Sequence, residues 1–130
     1  MCKVILTTRS HANLARLASA FEVNKDVHVF WAASGSQTLD RASETHVDLV
    51  VTDENLGDMT GLELVERLLK LNPMINCALV SPLSSRDFHN TTEGLGLMAQ
   101  LSPRPKKEEG EELLNKLKKL KGLETGFKDA

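Results

Sequence analysis

The chain has 130 residues, 41% of them hydrophobic and 26% charged, with a formal net charge of −2. That length suits one domain around a single core. The charge balance excludes a polycationic nucleic-acid or membrane-surface binder, and two cysteines outside any C-x-x-C pair exclude a disulfide scaffold or a structural zinc module.

Residues 3–6 form a short apolar strand ended by Thr7-Thr8. From His11 the period becomes helical, and Leu14, Leu17, Ala18 and Phe21 share one face. Val27, Val29 and Trp31 alternate, which predicts a strand over 26–32 with Trp31 in core or edge packing. Ser34-Gly35-Ser36 is turn chemistry that can cap a helix carrying Leu39 and Ala42. The run 48–52 is short, valine-rich and not alternating, so it reads as a strand buried on both faces.

Thr60 and Glu63 have capping-box spacing ahead of Leu62, Val65, Leu68 and Leu69, and Asn72-Pro73 stops that helix. A fourth buried strand spans 75–80 and breaks at Ser81-Pro82. A short polar helix follows, from 84 or 85 to 93, and then a fifth strand over 97–101. The last helix, 108–120, aligns Leu113, Leu114, Leu117 and Leu120, with Gly122 as its C-cap. Its interleaved lysines and glutamates read as a solvated face rather than a nucleic-acid patch.

Strands and helices alternate five times. That pattern predicts an α/β fold: a doubly wound, five-stranded parallel sheet with helices on both faces. Residues 1–122 form the expected domain, and 123–130 a tail or the start of a linker. The four histidines are scattered without metal-ligand spacing. No early apolar run has the length of a secretory h-region, and none reaches membrane-spanning length. A reducing cytoplasm is the expected compartment.

The chemistry concentrates at Asp53. A carboxylate at the carboxyl end of a buried strand stands where open α/β sheets place their sites. The segment D-E-N-L-G-D-M-T-G puts Gly57 four and Gly61 eight positions after Asp53, and Ser81 ends the next strand. This order resembles the receiver domain of two-component response regulators, a flavodoxin-like fold with strand order 2-1-3-4-5. That family shows D-x-x-x-P-x-x-x-G, so Gly61 matches and Gly57 replaces the proline.

The resemblance implies a phosphorelay module rather than an enzyme acting on other molecules. Asp53 would accept a phosphoryl group from a histidine kinase or phosphotransfer protein, and Ser81 would be the switch hydroxyl, sharing a cleft with it. Magnesium would bind Asp53 and the backbone carbonyl of Asn55. The family's first-strand acidic pair is replaced here by Thr7, Thr8 and Arg9, which implies a weak or absent site. Arg9 could instead pair with Asp53. The family's Lys-Pro position falls on Ser102 or Arg104, and its aromatic switch position on Ala99 or Leu101. Glu54 reads as a rim residue.

The implied partners are a kinase and an output protein or domain, with no direct nucleic-acid or membrane contact. The face of the fourth helix, fifth strand and last helix is available for homodimer contact. The alternative function is a pseudo-receiver, an interaction module that works without phosphate. A flavodoxin-like enzyme or nucleotide binder is a third class, but the chain has no P-loop, G-x-G-x-x-G or nucleophile elbow.

Overall fold

Consecutive β-branched and leucine residues bury both faces of a strand, and a parallel sheet covered on two sides is the architecture that uses such strands. The computed structural model describes residues 2–125 and has that architecture. The elements run β1 (Cys2–Thr7), α1 (His11–Glu22), β2 (Val27–Ala32), α2 (Gly35–Glu44), β3 (Leu49–Thr52), α3 (Gly61–Leu71), β4 (Asn76–Val80), α4 (Ser85–Thr91), β5 (Ala99–Leu101) and α5 (Lys107–Thr125). All strand pairs are parallel, and the sheet order is β2-β1-β3-β4-β5, the flavodoxin-like order that the sequence predicts.

Alternate residues of the central strands feed two cores. Val4, Leu6, Leu49 and Val51 meet Leu14, Leu17 and Phe21 of α1 and Leu113, Leu114 and Leu117 of α5. Ile5, Val50 and Cys77 meet Leu64, Val65 and Leu68 of α3 on the other face. Burial pushes the Cys77 thiol up to about 12, so it stays neutral.

Helix starts follow local chemistry. Ser34 accepts the Gln37 amide at 3.1 Å. Thr60 and Glu63 form the capping box that their spacing predicts. The last helix corrects the sequence reading: α5 runs through Gly122 to Thr125 instead of stopping there. Glycine costs a helix interior about 1 kcal/mol relative to alanine, but it does not end the helix unless the backbone turns left-handed. Residues 126–130 of the expected tail lie outside the described residues.

The register fixes the site. Thr7 pairs with Thr52 and Thr52 with Leu79, so the residues after each strand emerge together at one edge of the sheet. At the opposite edge Asp48 fastens three elements. It accepts the Lys3 amide at 2.8 Å, His46 Nε2 at 3.0 Å and the Lys121 ammonium at 2.7 Å. Burial works to raise its pKa, but the bonds from Lys121, Lys3 and His46 outweigh it and hold the carboxyl below its ordinary value.

Candidate functional site

Asp53 is the first residue past β3, where the strand ladder ends and a side chain can reach the mouth of the sheet. Its amide donates to the Thr7 carbonyl at 2.9 Å, which continues the β1–β3 pairing and orients the side chain. The carboxylate is half-buried. Its Oδ2 has Thr8 Oγ1 and Asn13 Nδ2 each 2.9 Å away, and its Oδ1 accepts the Glu54 amide at 2.9 Å. Thr8 Oγ1 also lies 2.9 Å from the Ser10 carbonyl. A hydroxyl has one proton, and the ionised carboxylate is the stronger of the two acceptors.

Thr7 and Thr8 diverge. Thr7 Oγ1 turns to Thr38 Oγ1 at 2.7 Å, inside the contact of β1 with α2. Of the two hydroxyls, only that of Thr8 reaches the Asp53 carboxylate. Asn13, in the first turn of α1, is the functional neighbour that the sequence did not announce. An isolated polar residue between helical core positions carries no motif.

Arg9 is exposed, and no ion pair joins it to Asp53 among the described residues. Its side chain lies over Gly57 instead, about where a Cβ there would touch it. Gly57 has φ +85°, a conformation closed to the family's proline. Gly61 marks a second close approach: a Cβ there would strike the Asp53 carbonyl oxygen and stand 2.7 Å from Leu79 Cδ1. Asn55 is exposed and bridges to Thr60, with its Oδ1 accepting the Gly57 amide at 3.0 Å. Asp58 turns away from Asp53 and caps α2, accepting the Gly35 and Ser36 amides at 3.1 and 2.9 Å. The Ser36 and Gly35 bonds hold its carboxyl below the ordinary value.

Ser81 is buried at the tip of β4. Its Oγ accepts the Leu83 amide at 3.2 Å. It opens on a cleft of about 220 Å³ walled by Glu54, Thr60, Leu62, Leu79 and Leu83. The Asp53 carboxylate faces the β1 side, towards Thr8 and Asn13. The tips of β3 and β4 are neighbours, yet the carboxylate and the hydroxyl engage different partners.

Beyond β5, Ser102 is the first residue and Arg104 sits two further on, in a left-handed turn at φ 52°. Ser102 donates its amide and its hydroxyl to Glu109, at 2.9 and 2.6 Å, and Lys106 adds its amide at 2.9 Å. Burial works to raise the Glu109 carboxyl, and these bonds outweigh it, so its pKa lies below the usual range. Ala99 and Leu101 bracket Gln100, whose amide reaches across to the loop after β4. Trp31, on the edge strand β2, is half-buried and stacks on His11 with ring centroids 4.0 Å apart.

The family model for the response regulator receiver domain matches residues 4–118. This chain belongs to that family. Solved structures share the receiver fold. A signal receiver domain of an HD domain-containing protein from Pseudomonas fluorescens Pf-5 is 19% identical, with TM-score 0.78 over 97% of this chain and 93% of that one. The chemotaxis response regulator CheY4 of Vibrio cholerae is 20% identical, with TM-score 0.76 over 90% and 98%. An uncharacterized protein from Neptuniibacter caesariensis is 18% identical, with TM-score 0.80 over 97% and 94%. No curated protein matches the chain. Identities this low carry the fold and not the details of the site.

The receiver domain's magnesium can be tested against the donors in place. A hard dication takes oxygen ligands, chiefly carboxylates, carbonyls and water. Around Asp53 stand an amide N–H₂, a hydroxyl and a backbone N–H, all donating to the carboxylate. Among the described residues no three His, Cys, Asp or Glu side chains are grouped to hold a metal ion. The three groups nearest the carboxylate thus donate to it, and none of them adds negative charge for a dication. No described helix is long and apolar enough to cross a membrane.

Proposed function

We propose that this receiver domain serves two-component signalling as a phosphorylation-independent interaction module. One observation carries the reading: Asp53 Oδ2 accepts from both Asn13 and Thr8. Two neutral donors stabilise a carboxylate without adding the negative charge that a dication needs. Ser102, one of the two candidates with Arg104 for the family's lysine position, brings no cation and spends its hydroxyl on Glu109. Receiver domains typically meet histidine kinases or phosphotransfer proteins, and such partners fit this chain, with an output protein as the second contact. The face of α4, β5 and α5 is the candidate for that contact or for a homodimer.

The second reading keeps Asp53 as phosphoacceptor and Ser81 as its responder. It is favoured by a half-buried carboxylate that forms no ion pair among the described residues. A carboxylate oxygen would form the O–P bond while the N–P bond of a phosphohistidine breaks, its electron pair passing to the ring nitrogen.

Magnesium with beryllofluoride, added to isotope-labelled protein, separates the two. The first reading expects no movement of the Asp53, Glu54 and Ser81 amides, and partner capture unchanged in Asp53→Asn. Saturable shifts that vanish in Asp53→Asn overturn it in favour of the second.

A further inference from the structure

A polar side chain in the middle of a short strand needs a reason. Gln100 is such a residue. Its backbone pairs with Leu79, and its neighbours Ala99 and Leu101 pack into the core on the α1–α5 side. Its own side chain points to the opposite face. There Nε2 lies 3.2 Å from the Ser81 carbonyl and 2.7 Å from the Leu83 carbonyl. A primary amide has two hydrogens, so both bonds form at once. The span they close is the turn that also returns the Leu83 amide to Ser81 Oγ.

We infer that Gln100 is a latch that fastens the β4–α4 loop to β5 and thereby sets where the Ser81 hydroxyl stands. One end of the latch is rigid, because the backbone of Gln100 belongs to the sheet. The other end is a loop of exposed residues, Pro82 to Ser84, whose last residue caps α4 by accepting the Asp87 and Phe88 amides. Ser81 is also tied to β5 by its amide, which donates to the Leu101 carbonyl at 2.9 Å, but the turn beyond it is held to β5 by Gln100 at the Ser81 and Leu83 carbonyls. Releasing the loop from β5 therefore means breaking two hydrogen bonds from one side chain.

The latch can be reached from outside. Gln100 also lines an open groove of about 610 Å³ between α4 and β5, with Phe88, His89, Thr92 and Leu97. The same residue thus lines the groove and holds the loop. The family's usual link between these places is an aromatic ring, and Ala99 and Leu101 provide none. The inference goes beyond either reading of Asp53, since the latch operates in the unliganded protein.

Native-state amide hydrogen exchange tests it, with the full chain and the variants Gln100→Met and Gln100→Ala. Methionine keeps the length and packing but has no N–H to give. Both variants are expected to raise exchange at the Leu83 amide at least tenfold, with β3 amides changed less than threefold. Wild-type exchange at Leu83 in Gln100→Met overturns the latch, because packing alone then holds the loop. An equal rise at Leu83 and throughout β3 also overturns it, because the effect is then global unfolding.

Discussion

Asn13 and Asp53 stand 40 residues apart in sequence and meet at 2.9 Å, amide nitrogen to carboxylate oxygen. Thr8 reaches the same oxygen. The arrangement inverts the electrostatics of an acidic pocket. Carboxylates at these places would repel Asp53 and call for a cation. An amide and a hydroxyl satisfy Asp53 directly, and the site closes on itself without one.

That inversion should be reversible by substitution. The double variant Thr8→Asp, Asn13→Asp replaces two donors with two carboxylates beside Asp53. Magnesium affinity should rise at least tenfold over the native chain. In the absence of metal, like-charge repulsion and the lost hydrogen bonds should cost about 2 kcal/mol of stability. Trp31 stacks on His11, two residues before Asn13 in α1, so its fluorescence reports the titration. Urea unfolding with and without magnesium gives the stability. A variant that ignores magnesium in both measurements would show that more than the two donors separates this pocket from a metal site.

Asp48 predicts a pH dependence at the far edge of the sheet. It is 8% exposed and ties β1 and β3 to Lys121 of α5. Its folded pKa lies below the ordinary value near 3.8, so the unfolded chain binds this proton more readily. The stability that results is fully present above the ordinary value and is lost as pH falls through the folded one. Asp48→Asn should therefore cost about 1–3 kcal/mol at neutral pH. The gap to the native protein should close in acid. Urea midpoints at neutral pH and near pH 3 check this, and a gap that stays constant would contradict it.

Much of this was legible in the chain, and the reasons are physical. The run Leu49-Val50-Val51-Thr52 has no polar face, so only a strand covered on both sides suits it. Ser34 and Thr60 stand directly before helical periodicity, and both cap. The position of Asp53 follows from where β3 must stop. What could not be read were the partners of side chains. Asn13 lies one turn into α1, and nothing local says that it faces β3. Asp58 sits among site residues in sequence, yet its carboxylate serves the amides of α2, because a loop can carry it to a helix start that spacing does not reveal. Gln100 offered a faint signal, a lone amide in an apolar strand. Gly122 misled because composition alone cannot show a left-handed turn.

Gly61 should tolerate no side chain. A Cβ there meets the Asp53 carbonyl, Leu79 Cδ1 at 2.7 Å and Thr52 Oγ1 at 3.2 Å. The carbonyl is backbone and already accepts the Thr52 hydroxyl at 2.9 Å, so it has little room to yield. Overpacking of this kind costs about 1–3 kcal/mol. Gly61→Ala should fall in that range by urea unfolding and should disturb the Thr52 and Asp53 amides in a spectrum. A neutral alanine would mean that the β3–α3 junction is softer than its hydrogen bonds imply.

Gly57 gives the least intuitive expectation, because the family's own residue should be the wrong one. Proline fixes φ near −65°, whereas Gly57 stands at +85°. The turn is held at that angle by Asn55 Oδ1 accepting the Gly57 amide, and by the Leu56 amide donating to the Met59 carbonyl at 3.0 Å. Proline removes the amide that Asn55 needs and forces the turn to reverse. Leu56 and Met59, both buried against the α3 side of the core, would then lose their seats. Gly57→Pro should destabilise the protein by about 3 kcal/mol or more. Gly57→Ala should cost about 1–2 kcal/mol from the left-handed backbone alone, since its Cβ meets only the Arg9 side chain, at 3.6 Å. Thermal or urea unfolding of the pair orders them. If proline proved harmless, the loop would have a second conformation close in energy, and the contact of Arg9 with Gly57 would be incidental to how the site is built.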